Sequence, residues 1–195
     1  MKEITFVFDY ICPYCYLMLP EVKRLQEEQP IKIKWIPMEI HPETPLEGRN
    51  LKTFFGSQRI YKIQKKIEAE ANRKKMVFYL PDRLYHTGLA NLVTAYAMGK
   101  LPMEEVVDAF YRRVFVYNEN IGDLEVLRKL CIQLGLSFES FLQQRNEKRI
   151  KSTMDQWNTF VEHHQILGVP ALLEDGNILA SGVCSYREVE RMISK

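Results

Sequence analysis

The sequence predicts an α/β fold carrying a large all-helical insertion, and three observations carry that reading. First, the strand-like run Ile4-Thr5-Phe6-Val7-Phe8 leads through Cys12-Pro13-Tyr14-Cys15 into a helical pattern that Pro30 stops, and a second strand follows. Second, from the proline-rich loop at 37–45 to residue 148 no strand-like run occurs, and several helical segments stand there instead. Third, Ala171-Leu172-Leu173, the Asp175-Gly176 turn and Ile178-Leu179-Ala180 read as a β-hairpin, with a capped helix behind it. The chain therefore divides into 1–45, an inserted helical domain over 46–147, and 148–195.

Each element has its own signal. Residues 4–8 are β-branched and aromatic, which is strand chemistry, and Tyr16 to Glu28 sets apolar and charged residues at helical spacing. Pro13 suits a first helical position, which needs no N–H donor, and Pro20 is expected to kink the same helix. Ile31-Lys32-Ile33-Lys34-Trp35-Ile36-Pro37 alternates with period two, placing Ile31, Ile33, Trp35 and Pro37 on one face. In the insertion, helices are expected over about 50–72 and 83–98, with a loop around Phe78-Tyr79-Leu80-Pro81-Asp82 between them and Gly99 as the second stop. Pro102 opens a third, whose apolar side is Val106, Val107, Phe110, Val114 and Phe115. Asp123 can cap a fourth helix that stops at Gly135, and Ser137 a short fifth. From about 147 a helix carries Ile150, Met154, Trp157, Val161 and His164 at spacings of three and four, with Gly168 as its end. Ser185-Tyr186-Arg187-Glu188 is a capping-box pattern opening a final helix with Val189, Met192 and Ile193 as apolar residues.

Composition excludes whole classes of function. The chain has 195 residues, room for one ample domain or a small domain with a large insertion at the usual size of about 100–200 residues. Lys and Arg number 27 and Asp and Glu 25, a net charge of +2, which lacks the clustered positive charge of a nucleic-acid-binding domain. The apolar fraction of 46% with 11% aromatics belongs to a packed globular chain. Its apolar stretches fall short of the about 18 consecutive residues that span a bilayer. Met1-Lys2-Glu3 runs directly into the first strand with no small-residue cleavage site, which predicts a cytoplasmic chain, although a mature chain with its leader removed reads the same way.

The cysteines stand at 12, 15, 131 and 184, and only the first two are close. Such a C-x-x-C near a βαβ pattern is either a redox dithiol or half of a zinc site. A structural zinc site wants four Cys or His ligands, usually as two close pairs. Here Cys131 and Cys184 are isolated, while His163 and His164 are adjacent and point about 100° apart on a helix. No metal is expected. The redox reading has a mechanism, because Cys12 falls at a helix N-terminus, where unpaired N–H groups and the positive end of the helix dipole favour a thiolate. Such placement lowers a cysteine pKa from about 8.5 into the range of about 3.5 to 7.5. Cys12 is therefore the nucleophile, and Cys15, one turn further in, can attack a mixed disulfide at Cys12 and release the substrate thiol. By topology, the start of the first hairpin strand and the Gly182-Val183-Cys184 loop lie at the Cys12 end of the sheet.

Asp9-Tyr10-Ile11-Cys12-Pro13-Tyr14-Cys15-Tyr16, His41-Pro42-Glu43-Thr44-Pro45-Leu46-Glu47-Gly48-Arg49 and Gly168-Val169-Pro170-Ala171 occur in that order and span nearly the whole chain. Together they resemble the DsbA-like family of the thioredoxin fold, specifically its FrnE-type branch of dithiol-disulfide oxidoreductases. The resemblance implies a central mixed β-sheet flanked by helices with the helical domain inserted, and a cis Pro170. That proline presents the backbone of Val169 beside the dithiol, where an extended substrate segment can pair with it. It further implies reduction or isomerisation of protein or small-molecule disulfides, with Cys12, Cys15 and Pro170 as the catalytic set and Pro13, Tyr14 and Val169 contacting substrate. No cofactor is bound beyond the Cys12–Cys15 disulfide itself, and glutathione is a candidate electron donor. The Pro-Tyr dipeptide departs from the branch, which more often has Pro-Trp, and matches glutaredoxins; the departure bears on redox potential and on the use of glutathione.

Other residues admit plainer readings. Cys184 is an accessory thiol or, the favoured reading, a buried small residue, and Cys131 belongs to the apolar stripe Leu127, Leu130, Cys131, Leu134. Asp9 can relay a proton, raise the Cys12 pKa through its charge, or simply cap the strand end. His41, His86 and His164 receive no catalytic role. The basic run Arg59, Lys62, Lys65, Lys66, Arg73, Lys74 and Lys75 is a solvated helix face or, less favoured, a docking surface for an acidic partner. The latter follows from the resemblance, in which the inserted domain roofs the dithiol, with Tyr14, Tyr16 and Phe54 or Phe55 supplying apolar contact. The alternative function is a glutathione-dependent isomerase or transferase similar to the kappa class, which has the same insertion but generally Ser where Cys12 stands. A non-catalytic chaperone or metal-binding protein is the third class.

Overall fold

β-Branched and aromatic side chains at the N-terminus build the central strand of a mixed sheet. In the computed structural model, which describes residues 2–193, the elements in order are β1 (Lys2–Phe8), α1 (Pro13–Glu28), β2 (Ile31–Pro37), β3 (Arg49–Asn50), α2 (Leu51–Phe55), α3 (Ser57–Arg73), β4 (Arg83–Leu84), α4 (Gly88–Ala97), α5 (Met103–Phe115), α6 (Leu124–Gln133), α7 (Phe138–Gln144), α8 (Lys148–His163), β5 (Ala171–Glu174), β6 (Asn177–Ser181) and α9 (Tyr186–Ile193). They form two units, one made of the chain up to Ile40 and from Asp155, the other of His41–Met154.

In the first unit the strand order is β2-β1-β5-β6. β1 pairs parallel with β2 and antiparallel with β5, and β5 pairs antiparallel with β6. This is the mixed sheet that the motif order predicts. Residues 4–8 of β1 are all buried, as a central strand covered on both faces requires. Phe6 and Phe8 share one face by the two-residue period, stack at 5.5 Å, and meet the edge of Trp35 on β2 at 5.6 and 6.1 Å. β2 buries Ile31, Ile33, Trp35 and Pro37 and exposes Lys32 and Lys34, the predicted alternation, which ends at Ile36, buried as well. Helix α1 runs through Pro20 to Glu28 and buries Cys15, Tyr16, Leu17, Met18, Leu19, Val22 and Leu25. It packs against β2 and α9. At the α1–α9 contact, Arg24 lies 4.0 Å over the Tyr186 ring, and Gln29 Nε2 donates to the Tyr186 hydroxyl at 3.0 Å.

The β5–β6 hairpin turns through Asp175 (φ +48°) and Gly176 (φ +80°), the positive φ pair of a type I′ turn. A methyl at Gly176 would stand 2.5 Å from His164 Cε1. Gly176→Ala is therefore expected to lower unfolding stability by about 1–2 kcal/mol, the cost of the left-handed conformation for an L side chain, as read by urea denaturation. The capping box forms: Ser185 N–H donates to Glu188 Oε2 at 2.7 Å, and Glu188 N–H to Ser185 Oγ at 3.4 Å. Val189 and Ile193 are buried, but Met192 is exposed.

The second unit is helical with a minimal ladder. Its core includes Val106, Val107, Phe110, Val114 and Phe115 of α5, all fully buried. Asp123 caps α6 by accepting from Glu125 N–H at 2.7 Å, and Ser137 caps α7 by accepting from Ser140 N–H at 3.1 Å. Three expected boundaries differ. The helix expected over 50–72 is two, because Gly56 adopts φ +87°, which no helix continues through. The helix expected from 83 starts at Gly88, since Arg83 and Leu84 pair with Asn50 and Arg49 as two-residue strands in a region that reads as strand-free. Helix α8 ends at His163 rather than near Gly168, with Gln165 already at φ +51°. Ile150 and Trp157 on α8 are buried, whereas Met154 and Val161 are half-buried.

Candidate active site

The dithiol is built by the passage from strand to helix. β1 ends at Phe8, and the next residues turn so that Cys12 N–H donates to the Asp9 carbonyl at 3.1 Å. Cys12 then occupies the N-cap of α1 in extended conformation, φ −85° and ψ 109°, with Pro13 at the first helical position. Its carbonyl accepts from Cys15 N–H at 3.1 Å and Tyr16 N–H at 3.2 Å, which winds the first turn and brings Cys15 round beneath Cys12. No side-chain hydrogen bond caps this helix end.

The two thiols differ. Cys12 keeps 6% exposure and Cys15 none, so only Cys12 can meet a substrate first. The hydrogen bond from the Cys15 thiol brings Cys12 below the ordinary thiol value; burial opposes it, the main-chain N–H groups of Cys15 and Tyr14 add to it, and the Asp9 charge works against it. Burial pushes Cys15 well up, reinforced by its bond to Cys12 and by the Cys12 charge. Carboxymethylation of Cys12 is therefore expected to follow a thiolate titration whose midpoint lies below the usual thiol range of about 8 to 9. Its rate falls as the pH drops through that midpoint, which stopped-time alkylation and mass measurement will read.

The sheet register delivers the third component. Val7 pairs with Ala171, so the preceding residue Pro170 falls opposite the end of β1 and Val169 reaches the turn that leads into α1. The Val169–Pro170 peptide bond is cis. In the thiol form Cys12 Sγ donates to the Val169 carbonyl at 3.7 Å, and Gly182 N–H donates to the Pro170 carbonyl at 2.8 Å. Cys12, Cys15, Val169 and Pro170 are thus brought together, with Pro13 and Tyr14 half-buried beside them in the first turn of α1.

The remaining candidates lie elsewhere or are structural. Cys131 is buried in α6, and burial pushes its pKa up to about 11. Cys184, for which burial was the favoured expectation, is half-buried: its thiol contacts Met18 Sδ at 4.0 Å and donates to the Gly182 carbonyl at 3.6 Å. His41 pairs with Glu43 at 3.3 Å, His86 Nδ1 accepts from Gly88 N–H at 3.0 Å, and His164 lies against Phe160. Of the basic run, Arg59, Lys62, Lys65, Lys66, Arg73 and Lys75 are exposed, as a solvated face requires, and Lys74 is half-buried. Among the described residues no group of three or more His, Cys, Asp or Glu is placed to hold a metal, and no helix is long and apolar enough to cross a membrane. One contact escapes sequence reasoning: Asp9 Oδ2 accepts from Ile40 N–H at 2.8 Å, joining positions distant in the chain.

Residues 3–194 match the DSBA-like thioredoxin domain. The chain belongs to that family. A relative of similar length is the uncharacterized protein YwbO of Bacillus subtilis, 25% identical over 195 residues, covering 95% of this chain and 92% of YwbO. Among solved structures, a probable DsbA oxidoreductase of Streptomyces coelicolor superposes with a TM-score of 0.86 at 17% identity, over 100% of this chain and 89% of that one. A 2-hydroxychromene-2-carboxylate isomerase gives 0.74 at 11% identity, over 98% and 93%. The cytosolic disulfide reductase DsbM of Pseudomonas aeruginosa gives 0.67 at 16% identity, over 98% and 94%, and was also solved with GSH. At these identities the likeness is one of DSBA-like fold.

Proposed function

We propose that this DSBA-like protein is a cytoplasmic thiol-disulfide oxidoreductase that reduces or isomerises disulfides through Cys12 and Cys15. The observation that carries the reading is the asymmetric pair at the N-terminus of α1, a thiol that keeps slight exposure and is held low beside a fully sealed one held high. The Cys12 thiolate attacks one sulfur of a substrate disulfide; the Cys12–substrate bond forms, the substrate S–S bond breaks, and the leaving thiolate takes a proton. Cys15 then loses its proton and attacks Cys12 Sγ, forming the Cys12–Cys15 disulfide and expelling the second substrate thiolate, which is protonated in turn. Two electrons pass from the protein to the substrate.

Pro170 and Val169 act on the substrate side. Val169 offers its main chain next to Cys12 for an extended substrate segment to pair with, and Pro13 and Tyr14 border the attacked bond. Two equivalents of a small thiol return the protein to its dithiol form and leave as the small-molecule disulfide. Glutathione is the natural choice in a compartment poised near −220 to −260 mV by extraction methods, where an oxidising dithiol is kept reduced. DsbM, a cytosolic reductase solved with GSH, supports that choice by analogy of fold.

The test is glutathione-driven reduction of a peptide disulfide, followed as glutathione disulfide formed. Turnover above the uncatalysed exchange rate is expected; a rate equal to the uncatalysed one would overturn the reading. The kappa-like alternative, a glutathione-dependent isomerase or transferase, predicts activity that survives loss of Cys15, since such chemistry needs no resolving thiol.

A further inference from the structure

The Asp9 carboxylate is almost sealed from solvent, at 1% exposure, and the disulfide exchange described above gives it no step. It ties together separate stretches of backbone. Oδ1 accepts from Ile11 N–H at 3.3 Å and Oδ2 from Ile40 N–H at 2.8 Å, while the carbonyl of the same residue accepts from Cys12 N–H at 3.1 Å. The end of β1, the turn into α1 and the segment after β2 thus converge on one residue bonded to the amide of the nucleophile. A carboxyl group is therefore held at the turn that leads to the nucleophile.

We propose that Asp9 is a positioning residue that also sets the oxidation equilibrium of the dithiol, its like charge beside Cys12 favouring the disulfide over the thiolate-bearing reduced form. The redox half of this inference rests on the oxidoreductase reading; the effect on Cys12 ionisation does not. At Cys12 the hydrogen bond from Cys15 is the larger influence downward and the Asp9 charge opposes it; at Cys15 burial dominates upward and Asp9 adds to it. The other titratable groups on the segments around the dithiol are Tyr10 in the turn after β1, Tyr14 and Tyr16 on α1, Glu39 beside Ile40, His164 ahead of the Val169 loop and Cys184 after β6. Of these segments, only the turn begun by Asp9 is bonded to the amide of Cys12.

The test compares Asp9→Asn and Asp9→Ser with the unsubstituted protein. Both remove the charge and keep a short oxygen acceptor for the Ile40 N–H, so both are expected to fold and to unfold cooperatively. Two quantities are read: the pH midpoint of Cys12 carboxymethylation, and the equilibrium in which dithiol and glutathione disulfide give protein disulfide and two glutathiones. The midpoint is expected to move to lower pH. The equilibrium constant for forming the protein disulfide is expected to fall about fivefold, the order of one like charge at a partly screened site. A purely architectural role gives the opposite sign, because a loosened first turn returns Cys12 upward toward the ordinary thiol value. A midpoint that stays or rises in both variants, or variants that do not fold, would overturn the inference. Absence of any Cys12–Cys15 disulfide in the unsubstituted protein would instead remove the oxidoreductase reading and leave the alkylation profile to decide the influence of Asp9 on Cys12.

Discussion

Cys15→Ser arrests the protein as a mixed disulfide with its substrate, and Cys12→Ser abolishes turnover. With serine at 15 the first attack still proceeds, since Cys12 retains its place at the N-cap and the N–H donors of the first turn. The second attack has no sulfur within the protein to make it, so with no free small thiol present the covalent adduct accumulates to near one per chain and is visible by mass. Turnover is expected to drop by at least about 10³-fold in either variant, on the scale of losing one member of an interdependent catalytic set. Cys15→Ala, which removes the donor outright, is expected to raise the Cys12 midpoint toward the ordinary thiol range, the Cys15 bond being the largest influence holding it down. Cys131→Ser, in α6 of the other unit, is expected to leave both turnover and the Cys12 midpoint unchanged.

Phe6→Ala costs about 3–5 kcal/mol of unfolding stability, the range for deleting a buried aromatic ring, and lowers the thermal midpoint by on the order of 10 °C. Phe6 is fully buried, stacks on Phe8 at 5.5 Å and meets the edge of Trp35 at 5.6 Å. Its strand is hydrogen-bonded on both sides, to β2 and to β5, so the backbone cannot collapse into the space the ring leaves. Tyr61→Ala, on the exposed face of α3, is the control and is expected to change stability by about 0.5 kcal/mol or less. Urea denaturation of the two variants reads both.

What the amino-acid order makes legible is whatever depends on neighbours. The strand, the dithiol and the helix behind it lie within 4–28, and Pro13 announces the helix start by having no N–H to lose. The caps at Asp123, Ser137 and Ser185 bond to residues two or three positions on, so their signals are complete within a few letters. The period of two in Ile31, Ile33 and Trp35 likewise marks the buried face of β2 directly. Elements set by distant partners leave no such trace. Arg83-Leu84 continues a helical pattern in sequence, and only its pairing with Arg49-Asn50 makes it extended. Gly56 gives no sign of whether it sits inside a helix or takes φ +87° and divides it. The Asp9–Ile40 bond is of the same kind: the chain reads Asp9 as a strand-end residue, and the fold supplies the second backbone stretch it holds. Half-burial of Cys184 depends on how the β6–α9 loop meets Met18 of α1, a contact between opposite ends of the chain.

The measurement that bears most directly on this account is the redox equilibrium of the Cys12–Cys15 pair, set in graded glutathione buffers and read by thiol alkylation and mass. The account predicts a reversible two-electron couple confined to these two cysteines, with a potential between about −120 and −270 mV, the span of thioredoxin-fold oxidoreductases. Failure of the pair to form a disulfide in any of the buffers, or a disulfide that instead engages Cys131 or Cys184, would contradict it.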